Sequence, residues 1–236
     1  MSTGLTPSIS RISLAQVDVP TLHALTLRML ESNHHNSALQ FAQQLYRLSK
    51  AVAHGILYAK CFFLTDEKRR CLGVLEQMGF LGAEAIQAVR EMSPGYIDYL
   101  SAILLAAQCL HDLEQYDDCI ALIDPVVGFE KFKAGQIFAS GGTNTFASLY
   151  LVLGRCYDSV DNRAKAIRFL TKSVQTDPYL VEAVEYLLTR SLLSPKQKLS
   201  LLQELEVEMQ TEHWLIDHYR FLFHMKGDID VHLYVG

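Results

Sequence analysis

The sequence lacks most of the features that mark a membrane protein, a nucleic-acid binder or an enzyme. Its longest apolar run, AILLAAQCL, is about half of the ~20 residues that a membrane span requires. Basic residues are not in excess: 21 Lys and Arg stand against 26 Asp and Glu, a formal net charge of −5. That balance argues against a broad electrostatic footprint for nucleic acid. The densest charge cluster, DEKRR at 66–70, carries both signs and is expected to be the solvated start of a helix. The opening MSTGLTPSISRISLAQ has neither the charged start nor the apolar stretch of a signal peptide, so residues 1–19 are expected to be a flexible lead-in and the protein soluble and intracellular.

Catalytic signatures are equally scarce. His34 and His35 fall in a turn, and His213, His218 and His224 lie on the terminal helix without HExxH or a comparable i, i+4 histidine pair. ASGGT has two glycines but neither the lysine of a phosphate loop nor a strand before it, and there is no GxSxG elbow. Asp117 and Asp118 begin a helix, where carboxylates complement the exposed N–H groups. No catalytic, cofactor-binding or metal-binding residue is expected, and no small-molecule substrate.

Half of the residues are apolar, enough for a substantial core, and residues 149–183 show how that core is patterned. Taking Ala147 as position 1 places Tyr150 at position 4, Leu153 at 7, Gly154 at 8, Tyr157 at 11, Ala166 at 20, Leu170 at 24 and Pro178 at 32. All seven match the 34-residue tetratricopeptide repeat, a pair of antiparallel helices. Small Gly154 and Ala166 let the helices approach, Leu153, Tyr157 and Leu170 fill the groove around them, and Pro178 punctuates the next helix. One repeat cannot bury its own apolar face, so neighbours must stack on it.

The five cysteines, Cys61, Cys71, Cys109, Cys119 and Cys156, locate those neighbours. With Cys156 at position 10, Cys61 and Cys109 become position 10 of two earlier repeats, and Cys71 and Cys119 become position 20, the slot of Ala166. In these frames position 8 is Ala59, Ala107 and Gly154. Upstream, SALQFAQQLYRLS places Ala38 at position 20 and Leu45 at 27. Each thiol thus occupies a slot for a small apolar residue rather than a CxxC loop, which favours packing; a redox or metal role is the alternative.

The expected fold is all-α, a tetratricopeptide-repeat solenoid of antiparallel helix pairs (an alpha-alpha superhelix) over 20–226. Helix pairs are predicted at 20–50, 53–79, 96–127 and 146–177, with further helices at 179–193, 195–209 and 211–226. An inserted helix falls near 81–92, an insertion loop near 128–145, and a tail at 227–236. A surface of this kind binds a helix or a second array. Leu22, Leu25, Met29, Phe41 and Leu45 are candidates for a two-fold contact, which needs one self-complementary patch; the same residues would otherwise form the first repeat's own core.

The run LGRCYDSVDNRAKAIRFLTKSVQTDPYLVEAVEYLLTRSLLSPKQKLSLLQEL, 153–205, resembles the Cdc-sixteen (Cut-nine) type tetratricopeptide subunits of the anaphase-promoting complex. YDSVDNR as the interhelix turn, the stretch from Asp177 to Leu188, and SLLSPKQKLSLLQEL as the next turn and helix carry the resemblance. SALQFAQQLYRLS, ILYAKCFFLTDEKRRCLGVL, ILLAAQCLHDLEQYDDCIALI and HWLIDHYRFLF extend it over about 20–226. The family's subunits are longer, and their C-terminal repeats grip a partner's N-terminal segment; this chain stops at Gly236, so the resemblance is to the N-terminal half. It implies a non-catalytic scaffold, a homodimer built on the N-terminal repeats, other subunits of the complex as partners, no cofactor, no contact with nucleic acid or membrane, and residence in nucleus and cytoplasm. A stand-alone adaptor with a peptide or helix in its concave groove is the alternative. The basic carboxylate clamp of such adaptors suits the mostly apolar first helices poorly.

Overall fold

The computed structural model describes residues 18–127, 144–209 and 213–225, and among these there are twelve α-helices and no strand. They fall into two compact units, divided between Thr65 and Asp66. Most of the lead-in (1–17 of 1–19), most of the insertion loop (128–143 of 128–145) and the whole tail at 227–236 lie outside the described residues.

The first unit holds α1 (Val19–Glu31), α2 (His35–Ser49) and α3 (Val52–Leu64). Asp18 caps α1 by accepting from the Thr21 N–H at 3.3 Å, and Pro20 sits in the first turn, where a missing N–H costs nothing. α2 packs on both neighbours, with Ala38 and Ala42 set against Cys61 and covered by Met29, Leu30, Leu39 and Tyr58.

The second unit holds α4 (Lys68–Gln77), α5 (Ala83–Arg90), α6 (Tyr96–Asp112), α7 (Tyr116–Val127), α8 (Thr145–Ser159), α9 (Arg163–Thr176), α10 (Val181–Thr189), α11 (Pro195–Glu208) and α12 (His213–Met225). α5 stands where the inserted helix is expected, and packs on α6 and α7. The helices expected to form the second repeat, α3 and α4, belong to different units. Within the second unit α6 packs on α7 and α8, α7 on α8, α8 on α9, α9 on α10, and both α10 and α11 on α12. One apolar cluster runs through Leu100, Ile103, Ile123, Leu149 and Leu153. A second runs through Leu170, Leu187, Leu201, Leu205 and Phe223.

The turns inside the helix pairs share one geometry. Asn33, Glu114, Asp161 and Ser191 each adopt a left-handed backbone, with φ between 49° and 60°. The next residue then donates its N–H back across the turn: His34 to Met29 O at 2.8 Å, Gln115 to Leu110 O at 2.9 Å, Asn162 to Tyr157 O at 2.8 Å and Leu192 to Leu187 O at 3.0 Å. This is the Schellman closure, which satisfies carbonyls that a helix end leaves unpaired. It carries the chain from one helix to the next within three residues at the first three turns and five at the fourth.

Candidate interaction surface

The small residues of the repeat frame are enclosed. Ala38, Ala59, Cys71, Ala107, Cys119 and Ala166 are fully buried, as are Leu153 and Leu170. Gly154 is the tightest point: a Cβ there would lie 2.6 Å from Leu170 Cγ and 3.2 Å from the Leu170 backbone nitrogen. Tyr150 and Tyr157 are buried one turn to either side. Their rings stack on Phe169, with centroids 6.2 and 5.5 Å apart. Pro178 is half-buried, and its carbonyl accepts from the Tyr219 hydroxyl of α12.

Polar groups tie one pair to the next. Tyr157 Oη donates to Asp124 Oδ2 at 2.9 Å and accepts from Lys165 Nζ at 3.2 Å. Burial, together with the Asp124 carboxylate, raises the Tyr157 pKa above the ordinary phenol value. Tyr186 Oη and Arg190 Nε both donate to Asp158 Oδ2, at 2.9 and 2.8 Å, and burial plus that carboxylate push Tyr186 to about 12. Arg163 donates to the carbonyls of Ser191 and Leu192, closing the following turn. Ser173 Oγ donates to Ala147 O at 2.7 Å, and buried Asp177 accepts from the Asn144 and Tyr179 N–H groups at 2.9 and 3.1 Å.

These polar ties escape a reading of repeat consensus, because they join residues 26 to 33 positions apart whose types are ordinary on helix surfaces. A weak signal exists for Phe169, which lies between Ala166 and Leu170 on the face toward α8. For Ser173 and Asp177 the consensus offers none.

In the first unit, the candidate contact residues divide into two sets. Leu22 and Leu45 are 2% and 0% exposed and belong to the unit's own interior, whereas Leu25, Met29 and Phe41 are half-buried. A histidine pair not anticipated from sequence lies nearby: the His23 and His54 rings are 5.1 Å apart, and His54 Nδ1 is 2.7 Å from Ser49 Oγ. Burial first, then the charge of His23, holds the His54 pKa below the ordinary histidine value. Among the described residues no cluster of three or more His, Cys, Asp or Glu side chains is disposed to hold a metal ion. No described helix is long and apolar enough to cross a membrane.

Antiparallel helix pairs closed by short left-handed turns, with small residues at the crossing and Leu and Tyr around it, define the tetratricopeptide-repeat solenoid class. No family profile matches the chain. It is 21% identical over 221 residues to anaphase-promoting complex subunit 6 of Arabidopsis thaliana, covering 89% of this chain and 38% of that protein. With the cell division cycle protein 16 homolog of Homo sapiens it shares 24% identity over 213 residues, 84% of this chain and 32% of the relative. A chain of the crystal structure of the APC/C hetero-tetramer Cut9–Hcn1 matches with a TM-score of 0.67 at 17% identity, over 87% of this chain and 36% of that one. Within the repeat class, therefore, the chain is a homologue of the subunit 6 (cell division cycle protein 16) type. It spans about a third of the length of the curated relatives it matches, a coverage that fits an N-terminal half.

Proposed function

We propose that the chain is a non-catalytic scaffold component of an anaphase-promoting complex, a cell-cycle ubiquitin ligase of nucleus and cytoplasm, and that its first repeats mediate homodimerisation and subunit assembly. The observation that carries this reading is the homology to subunit 6 across 89% of the chain, supported by the fold shared with a chain of the Cut9–Hcn1 structure. Leu25, Met29 and Phe41 offer the partly exposed apolar groups of the dimer patch, and Leu22 and Leu45 are buried. A two-fold contact uses the same patch twice, so few residues suffice.

Tagged chain recovered from dividing cells is expected to bring down other subunits of the complex; recovery of chaperones in their place would favour a peptide-binding adaptor. Analytical ultracentrifugation at micromolar concentration tests the dimer separately. The wild-type chain is expected to sediment as a dimer, and Leu25→Glu with Phe41→Glu to weaken it by roughly 30-fold or more, the loss of an interface hot spot. A monomer at every concentration would sink the dimer proposal.

A further inference from the structure

His23 of α1 and His54 of α3 come from the two helices that flank α2 in the first unit, and they meet ring to ring. The ring centroids are 5.1 Å apart and the planes are tilted by 57°. Both side chains are half-buried, so solvent reaches them. One nitrogen of His54 is already engaged: Nδ1 lies 2.7 Å from Ser49 Oγ, an oxygen that also accepts the Ala51 N–H at 3.3 Å. A hydroxyl oxygen has two lone pairs and can accept from both groups. With the proton on Nδ1, the Nε2 lone pair of His54 is left open.

We propose that His23 and His54 form a two-histidine binding site for Zn²⁺ or a similar divalent transition-metal ion, with Ser49 orienting His54 and water in the remaining coordination positions. The ring separation fits the ion. At a Zn–N distance of about 2.0–2.1 Å the metal lies about 3.2 Å from the centre of each ligating ring, so two rings at a tetrahedral angle have centroids about 5.2 Å apart. The observed separation is 5.1 Å.

A plain aromatic contact also spans this distance, at about 4.5–7 Å between centroids, but it calls for no fixed tautomer. A metal-ligating histidine characteristically donates its other ring N–H to an acceptor, which holds the ring and raises its basicity. Ser49 Oγ stands in that place. Burial and the charge of His23 also keep the His54 pKa low, so its imidazole is in the neutral, ligating form at about pH 7.5. Two protein ligands make an open site of lower affinity than a four-ligand structural centre. An ion held there ties α1 directly to α3 and stabilises the first unit by mass action.

The test titrates the full chain with Zn²⁺ in a non-chelating buffer at about pH 7.5, measuring heat by calorimetry and the histidine rings by long-range proton–nitrogen NMR. The His54 Nε2 signal and one ring nitrogen of His23 are expected to shift together, while His54 Nδ1 keeps its proton. His23→Ala and His54→Ala should each weaken binding by roughly 100-fold, and Ser49→Ala by about 10-fold, the low end of what loss of a supporting partner costs. Both rings unmoved at millimolar Zn²⁺, a shift of one ring without the other, or undiminished binding in both histidine variants would overturn the site. Unchanged affinity in Ser49→Ala would overturn the orienting role of Ser49. The ring signals of the wild-type chain decide the site even if a variant fails to fold.

Discussion

Gly154 shows how one missing atom sets a helix crossing. Its Cβ would fall 2.6 Å from Leu170 Cγ, so Gly154→Ala forces Leu170 or the backbone of α9 to move. Overpacking of this kind costs about 1–3 kcal/mol, and the better helix propensity of alanine returns up to about 1 kcal/mol. We expect a net loss of roughly 1–2 kcal/mol in urea unfolding. Leu170→Ala alone should cost about 2–5 kcal/mol, and the double variant less than the sum, because truncation of Leu170 makes room for the new methyl group. His54 gives a residue-scale pH dependence. Its folded pKa is depressed by burial and by His23, so the unfolded chain takes up the proton first as pH falls. The stabilising contribution is present above the ordinary histidine pKa of about 6.5 and lost progressively below it. Thermal melts between about pH 7.5 and 5 should show this decline, and His54→Gln should flatten it.

At the scale of elements, the turns carry the predictions. Ser191 holds φ 49° with no glycine to make that conformation easy. Ser191→Gly should relieve the left-handed strain, and after the extra entropy of glycine in the unfolded chain the gain is expected to be about 0.5–1 kcal/mol by denaturant midpoint. The start of α11 is closed by a capping box, in which Ser194 Oγ accepts from the Gln197 N–H and Gln197 Oε1 accepts from the Ser194 N–H at 2.9 Å. Ser194→Ala should cost about 1 kcal/mol, read in the same titration. Part of this was legible in the sequence: SNHHN, DSVDN and LLSP each place turn-forming or capping residues between apolar periods, and the starts of α2, α9 and α11 fall on them. Ser173 and Asp177 were not legible as ties to the start of α8, because a local pattern does not say which distant backbone group a hydroxyl or carboxylate will meet.

For the whole molecule, homology to the subunit 6 type rests on a repeat array that spans about a third of its curated relatives, and dimerisation and assembly follow as proposals at that scale. The sequence by itself determined the all-α repeat class, because the spacing of small, aromatic and aliphatic residues obeys the 3.6-residue helical period and the 34-residue repeat, both local regularities. Only the tertiary structure decided which polar groups meet. Sequence spacing sets Asp124 33 residues before Tyr157, yet the folded chain joins the two side chains at 2.9 Å. Tertiary packing likewise enclosed Leu22 and Leu45 while leaving Leu25, Met29 and Phe41 partly open. The physical reason is common to both: periodicity fixes which face of a helix is apolar, whereas the partner that covers that face is chosen by how separate helices stack.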